Sequence, residues 1–270
     1  GRLFRIEVIK TETAVYLLTD FHHIIFDGAS NGIFTRQLKE VLEGHDIQEE
    51  AYDYFEYVND IDENGREYCE AKEYFEQMLK NCESADEITP DLSGLPENGK
   101  PAMESVPFDM GKVQKFCGEN GVTPAHLFLA SVFYTVSRFT NSRNAYISTI
   151  SNGRSNLKLA NSFGMFVNTL PLGMELEQES TALELVKRSR EILNGAIAHE
   201  QYPFSRIASE FNYAPDIFYA YQIGVLEELV INGIKIDSDM IGERLAKFKT
   251  AIYVENTNGT EAIDIVYNDA

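Results

Sequence analysis

Two adjacent histidines, His22 and His23, stand five and four residues ahead of Asp27 in the stretch TDFHHIIFDGASNGIF, Thr19–Phe34. The chain has five histidines in all, so the pair concentrates a scarce residue in an otherwise apolar run. Imidazole is the side chain that exchanges protons near neutral pH. A neutral ring can take a proton from an attacking amine or hydroxyl, which suits acyl transfer without a metal. The plainer alternative is a strand end whose two rings are satisfied by hydrogen bonds, with Asp27-Gly28 as an ordinary turn. Neighbours on an extended chain point to opposite faces. One of the pair is therefore expected to face a cavity and the other to pack or hydrogen-bond. Asp27 is expected to turn the chain and lock the loop through an arginine, and Gly28 to supply the backbone angle of that turn.

The elements that must position these residues follow from periodicity. LFRIEVIK and AVYLLTDFHH read as two strands joined by a tight turn at TET. After the histidines the period changes. Ser30 is expected to cap a helix in which Ile33, Phe34, Leu38, Val41 and Leu42 recur, ended by Gly44. Tyr68, Ala71, Tyr74, Phe75, Met78 and Leu79 form one face of a second helix, a stripe better read as packing than as a cofactor box. Residues 84–103 are rich in proline and glycine with little periodicity, which divides the chain into a lobe at 1–100 and another at 101–270.

Beyond that division, ESVPFDM reads as a strand entering a helix at Asp109. Thr123-Pro124 supplies a cap and a first-turn proline for AHLFLASVFYTVSRFT. That helix is apolar almost all round and is expected to be buried. NAYISTIS and MFVNTLPLGMEL read as strands. Thr181 and Glu184 form a capping box at the next helix. Four strand-like runs close the chain: DIFYAYQIGV, ELVINGIKI, LAKFKTAIYVEN and AIDIVYND. Strands mixed with long helices, without regular βαβ alternation, indicate an α+β or layered sandwich architecture.

Composition removes several function classes. The net charge of −20 and the lack of a basic stripe argue against nucleic acid. No apolar run approaches the roughly 20 residues of a membrane span, and the first residues lack the apolar region of a signal peptide. Cys69, Cys82 and Cys117 show no metal-ligand spacing and read as reduced thiols of a cytoplasmic protein. No glycine-rich phosphate loop is followed by lysine, and no metal or nucleotide is implied.

HHIIFDGAS resembles the HHxxxDG core motif of condensation domains of nonribosomal peptide synthetases, which share the chloramphenicol-acetyltransferase-like fold. Further segments follow in the same order. Gly164–Leu172, GMFVNTLPL, is similar to the family's G-x-F-V-N-T-x-P-L, with Gly173 where an arginine is common. His199–Ile207, HEQYPFSRI, resembles H-Q-D-x-P-F-E but carries Glu200 and Gln201 at the middle positions. Ser137–Arg154 resembles the stretch that leads to a Gly-Arg in the family.

The resemblance implies a V-shaped pseudodimer of two lobes with the histidines at the base of a tunnel. Donor and acceptor peptidyl carrier domains would bring thioesters on phosphopantetheine arms, beside adjacent synthetase domains, so no cofactor is bound directly. His23 would be catalytic, as general base or by orienting the amine. His22, Asp27, Gly28 and Ser30 would shape the loop, with Arg154 a candidate partner for Asp27. Asn168 would position substrate or simply satisfy a strand end, and His45, His126 and His199 would be scaffold. Because the family's domains are longer, the N-terminal lobe is expected to be incomplete, with impaired activity and exposed apolar surface. An aminoacyl-transferring, peptide-bond-forming domain is favoured over heterocyclising relatives, which carry D-x-x-x-x-D, and over epimerising ones, which usually carry tryptophan soon after the serine. The alternatives are a non-catalytic docking module of the same fold and a free-standing acyltransferase using coenzyme A thioesters.

Overall fold

The computed structural model of the chain describes residues 1–80, 82, 100–177, 180–214, 216–224, 229–236, 248–257 and 259–269. Most of the expected linker at 84–103 lies outside these residues, as does the start of LAKFKTAIYVEN. Two compact units emerge, each drawn from separate stretches of chain. The first gathers residues 1–62 and 152–167 with the short hairpin at 229–236, and the second gathers the other described residues.

In the first unit, β1 (Phe4–Lys10) and β2 (Val15–Phe21) pair antiparallel, with Phe4 opposite Phe21 and Lys10 opposite Val15. The turn between them is closed by Thr11, whose backbone N–H reaches the Ala14 carbonyl and whose hydroxyl accepts from Ala14 N–H at 3.0 Å. Strand alternation puts Phe4, Ile6, Val8, Val15 and Leu17 on one face, and all five are exposed. Helix α1 (Gly28–Leu42) follows, with Ser30 and Ile33 buried. The short helix α2 (Tyr54–Asn59) starts in a reciprocal capping box between Asp53 and Glu56. ELVINGIKI forms a hairpin rather than one strand: β7 (Leu229–Ile231) turns through Asn232 and Gly233, both at positive φ, into β8 (Ile234–Ile236). Asn-Gly is the dipeptide such a turn requires.

The second unit is a six-stranded mixed sheet in the order β3-β10-β9-β6-β4-β5, packed with helices. The strands are β3 (Lys100–Pro107), β4 (Asn144–Ser151), β5 (Asn168–Glu175), β6 (Ile217–Tyr221), β9 (Thr250–Thr257) and β10 (Thr260–Asp269). The central strand β6 runs parallel to β4 and β9, while the outer pairs are antiparallel. Both faces of β6 are buried by alternation. Ile217 and Tyr219 join the main core, whereas Phe218 and Ala220 pack with Ala251 and Val266. The main core also takes Phe75 and Leu79 of α3 (Arg66–Leu79), Leu129 and Phe133 of α5 (Pro124–Thr140), Ala196 of α6 (Ala182–Ala198) and Ile207 of α7 (Phe204–Glu210).

Capping chemistry sets the helix starts. Asp109 accepts from Lys112 N–H at the head of α4 (Met110–Asn120), and Gly121 at φ 65° ends it. Thr181 and Glu184 cap α6 reciprocally. Helix α5 departs from the expectation of burial all round. Val132, Phe133 and Val136 are buried, but Tyr134, Thr135 and Phe139 are exposed, so aromatic content concealed a solvent-facing flank.

At the start of α5, the Thr123 hydroxyl accepts from His126 N–H while His126 Nδ1 accepts from Thr123 N–H at 3.2 Å. That second bond requires a neutral ring. Burial, with the Arg190 guanidinium nearby, lowers the His126 pKa below 6.5. The unfolded chain therefore binds the extra proton first, and stability falls as pH drops from about 6.5 through the lowered value. We expect the melting temperature to decrease between about pH 7.5 and about pH 5.5, and His126→Gln, which keeps an acceptor without a titration, to decrease less. Equal decreases measured by circular dichroism would exclude this role.

Candidate active site

Strand β2 ends at Phe21, and the histidines lie beyond it rather than on extended strand. His22 is extended (φ −66°, ψ 130°) and caps a single 3₁₀ turn, His23–Ile25. Its Nδ1 accepts from Ile24 N–H at 3.1 Å, so a neutral His22 carries its proton on Nε2. His23 has the opposite arrangement. Its Nδ1 lies 2.8 Å from the Phe26 carbonyl oxygen, which can only accept. Nδ1 therefore carries a proton, and a neutral His23 keeps its lone pair on Nε2 of an exposed ring. The two rings are thus held by local backbone bonds of opposite sense, and both are exposed.

Asp27, not Ser30, caps α1. Its backbone is extended (φ −111°, ψ −177°), and its Oδ1 accepts from Ser30 N–H at 2.7 Å. The direction change is made there, and Gly28 is already the first helical residue. Gly28 does not have a positive φ. A Cβ placed on it would meet no atom within 4 Å. The backbone angle assigned to Gly28 from sequence is thus not what the loop uses.

The other Asp27 contacts come from residues 152–167, the excursion between β4 and β5. Arg154 Nη2 donates to Asp27 Oδ1 at 3.1 Å and Oδ2 at 3.3 Å. The Phe166 N–H donates to Oδ2 at 3.0 Å. The two side chains are 5% and 0% exposed, which makes this a buried pair. Arg154 is itself fixed: Nη1 donates to the carbonyls of Leu159 at 2.7 Å and Ser162 at 2.6 Å. Its guanidinium carbon sits 4.4 Å from the Phe166 ring centroid.

Ser30, buried in the first turn of α1, works beside this pair. Its hydroxyl donates to the Gly164 carbonyl at 3.0 Å and accepts from Gly164 N–H at 3.1 Å and Arg154 Nη2 at 3.2 Å. Gly153 explains the glycine of Asn-Gly-Arg. It has φ +66°, and a Cβ there would fall 1.9 Å from the Phe166 carbonyl oxygen. The sequence singles out Arg154 as a candidate but gives no sign of the roles of Gly153 and Phe166. Both act through backbone atoms that residue type does not reveal.

Asn168 belongs to the second unit. Its Nδ2 donates to the carbonyls of Glu200 at 2.8 Å and Tyr202 at 3.3 Å, and its Oδ1 accepts from Phe204 N–H at 3.2 Å. Ser151, paired across the sheet with Asn168, bonds the Glu200 carboxylate. The HEQYPF segment is thus gripped at the open ends of β4 and β5. His199 caps α6 with Nδ1 at 2.7 Å from Gly195 O and stacks on Tyr74 at 4.2 Å. Among the described residues no cluster of three or more His, Cys, Asp or Glu could hold a metal, and no helix is long and apolar enough to cross a membrane.

Removing the Asp27 carboxylate strands a buried guanidinium and two backbone N–H groups. We expect Asp27→Ala to lower unfolding free energy by about 3–5 kcal/mol, read from urea denaturation. Asp27→Ala with Arg154→Met should recover part of that loss, since no uncompensated charge remains. A loss under about 1 kcal/mol, the range of an exposed pair, would contradict the burial described.

The family model for the condensation domain matches residues 1–270. Surfactin synthase subunit 2 of Bacillus subtilis (strain 168) is 29% identical over 227 residues, 80% of this chain but 6% of that protein. The chain therefore spans a small fraction of its curated relative. Among solved structures, the condensation domain from monacolin K polyketide synthase superposes with a TM-score of 0.80 at 14% identity, covering 99% of this chain and 67% of that one. The X-domain in complex with OxyB from teicoplanin biosynthesis gives 0.75 at 15% identity, covering 98% and 65%. The mixed sheet and helices are those of the condensation-domain fold. With a histidine pair of fixed tautomers, a buried aspartate behind it and a match over its full length, the chain belongs to the condensation-domain family of the nonribosomal peptide synthetases.

Proposed function

We propose that the chain works as a peptide-bond-forming condensation domain within a longer cytoplasmic synthetase. In this reading it joins an aminoacyl or peptidyl donor, held as a carrier thioester, to the amine of an acceptor held the same way. The observation that carries the proposal is the exposed Nε2 of His23, a proton acceptor held in one tautomer by its own loop. The acceptor amine donates a hydrogen bond to that nitrogen, attacks the thioester carbonyl and forms the C–N bond. The thiolate of the donor carrier leaves, and the proton from nitrogen ends on sulfur. Thioester activation is supplied by the substrates, whose phosphopantetheine arms belong to donor and acceptor carrier domains. The chain's own residues orient the amine and hold a lone pair near it.

His22, with Nδ1 tied to Ile24, shapes the loop in this reading, while Asp27, Ser30 and Arg154 fasten it. Asn168 contributes to substrate positioning through the HEQYPF turn it holds, because both of its N–H groups are already donated to that turn. A docking module of the same fold is the second reading, supported by the likeness to an X-domain solved in complex with OxyB. A platform that only binds has no chemical need for an exposed lone pair at His23.

The test loads one carrier with a donor aminoacyl thioester and a second with an acceptor, adds the parent synthetase protein, and follows the acceptor by intact-protein mass spectrometry. The acceptor is expected to gain the donor residue's mass with wild type and to lose that gain with His23→Ala. No gain across several donor and acceptor pairs, together with tight carrier binding, would transfer the assignment to the docking module.

A further inference from the structure

Residues 50–54 lie far in sequence from both the histidines and the 152–167 excursion, yet they hold that excursion at three points. The Glu50 carboxylate accepts from the Phe163 backbone N–H at 2.7 Å. The Tyr52 carbonyl accepts from the buried Ser162 hydroxyl, and Lys158 Nζ lies 5.2 Å from the Tyr52 ring centroid. The Tyr54 ring meets Phe166 edge-on at 5.1 Å. Gly164 makes room for this contact, since a Cβ there would come within 2.7 Å of both rings.

Phe163 carries the constraint onward. Its ring stacks on Phe26 at 6.3 Å and 24°, and Phe26 stacks in turn on Phe21 at 4.0 Å and 5°. Phe26 is the residue whose carbonyl receives the His23 Nδ1 proton. Its side chain is therefore packed against the last residue of β2, against Phe34 of α1 and against a residue fastened to Glu50. Packing of the Phe26 side chain limits the backbone positions from which its carbonyl meets the imidazole.

We propose that Glu50–Tyr54 is a strap that positions the reacting histidine, with Glu50 as its positioning residue. Glu50 holds Phe163, Phe163 and Phe21 hold Phe26, and the Phe26 carbonyl holds His23 with its lone pair on Nε2. Asp27 fixes the helix end of the same loop, and the strap fixes the ring end. The inference rests on the reading of His23 as the reacting histidine, but its test reads the ring itself and needs no substrate.

The experiment is ¹⁵N NMR of the histidine-labelled 270-residue chain at a pH where the rings are neutral. A fixed tautomer separates the Nδ1 and Nε2 signals widely, and exchange between tautomers draws them together. His22 is the internal reference, because its Nδ1 partner, Ile24 N–H, lies within its own turn. Glu50→Ala should narrow the separation at His23 and leave His22 unchanged. Glu50→Gln, which keeps a carbonyl to accept from Phe163 N–H, should restore the wild-type separation. Phe163→Ala, which removes the stack and leaves the Glu50 bond, should reproduce the Glu50→Ala pattern. An unchanged His23 in Glu50→Ala and Phe163→Ala, or equal changes at both histidines, would overturn the strap. Loss of condensation without any change in the His23 signals would do the same, whereas intact strap signals in an inactive wild type would instead count against the proposed reaction.

Discussion

The buried Asp27–Arg154 pair is the constraint on which the first unit depends. A carboxylate and a guanidinium taken out of water lose several kcal/mol each in hydration. Their mutual attraction offsets this only when the remaining polar capacity is used. Here nearly all of it is. Asp27 accepts from Ser30, Phe166 and Arg154, while Arg154 also donates to two carbonyls of its own loop. A pair of this kind adds less to net stability than to uniqueness of arrangement, because misplaced alternatives leave charge buried and unpaired. It specifies that the head of α1 and the 152–167 excursion meet in one register.

That register also bears on the histidine turn that precedes Asp27. Both rings are bonded to backbone groups within three residues, His22 to its own turn and His23 to the Phe26 carbonyl. What local bonds cannot set is the direction in which the turn as a whole faces. Asp27 follows the turn immediately and is anchored to residues more than a hundred positions away. A flexible loop would average over ring orientations and present its lone pair in few of them. Asn168 likewise grips the HEQYPF turn, so two of the chain segments that resemble family signatures are fastened by side chains to backbone.

Much of this is legible in the residues themselves. Strand and helix identities follow from periodicity, and the capping boxes at Thr181–Glu184 and Thr123 carry their own geometry. Asp27 is readable as a turn aspartate whose carboxylate could lock the loop through an arginine, and it pairs with Arg154. The misreadings share a cause. Ser30 and Asp27 are both good cap residues three positions apart, and only the backbone decides which lies outside the helix. Gly28 looks like a turn residue because glycine permits such angles, yet permission is not use. Gly153, whose angle does require glycine, is inconspicuous within Asn-Gly-Arg. Helix α5 looks wholly buried because aromatic side chains are counted as apolar wherever they point.

In the proposed reaction the Nε2 lone pair of His23 acts on the attacking amine. The most direct measurement is single-turnover amide formation by the His23→Gly variant of the parent synthetase, with and without added imidazole. We expect a slow variant whose rate rises with the concentration of neutral imidazole and falls when that imidazole is protonated. A variant as fast as wild type, or a folded but inactive one that no imidazole concentration rescues, would contradict it.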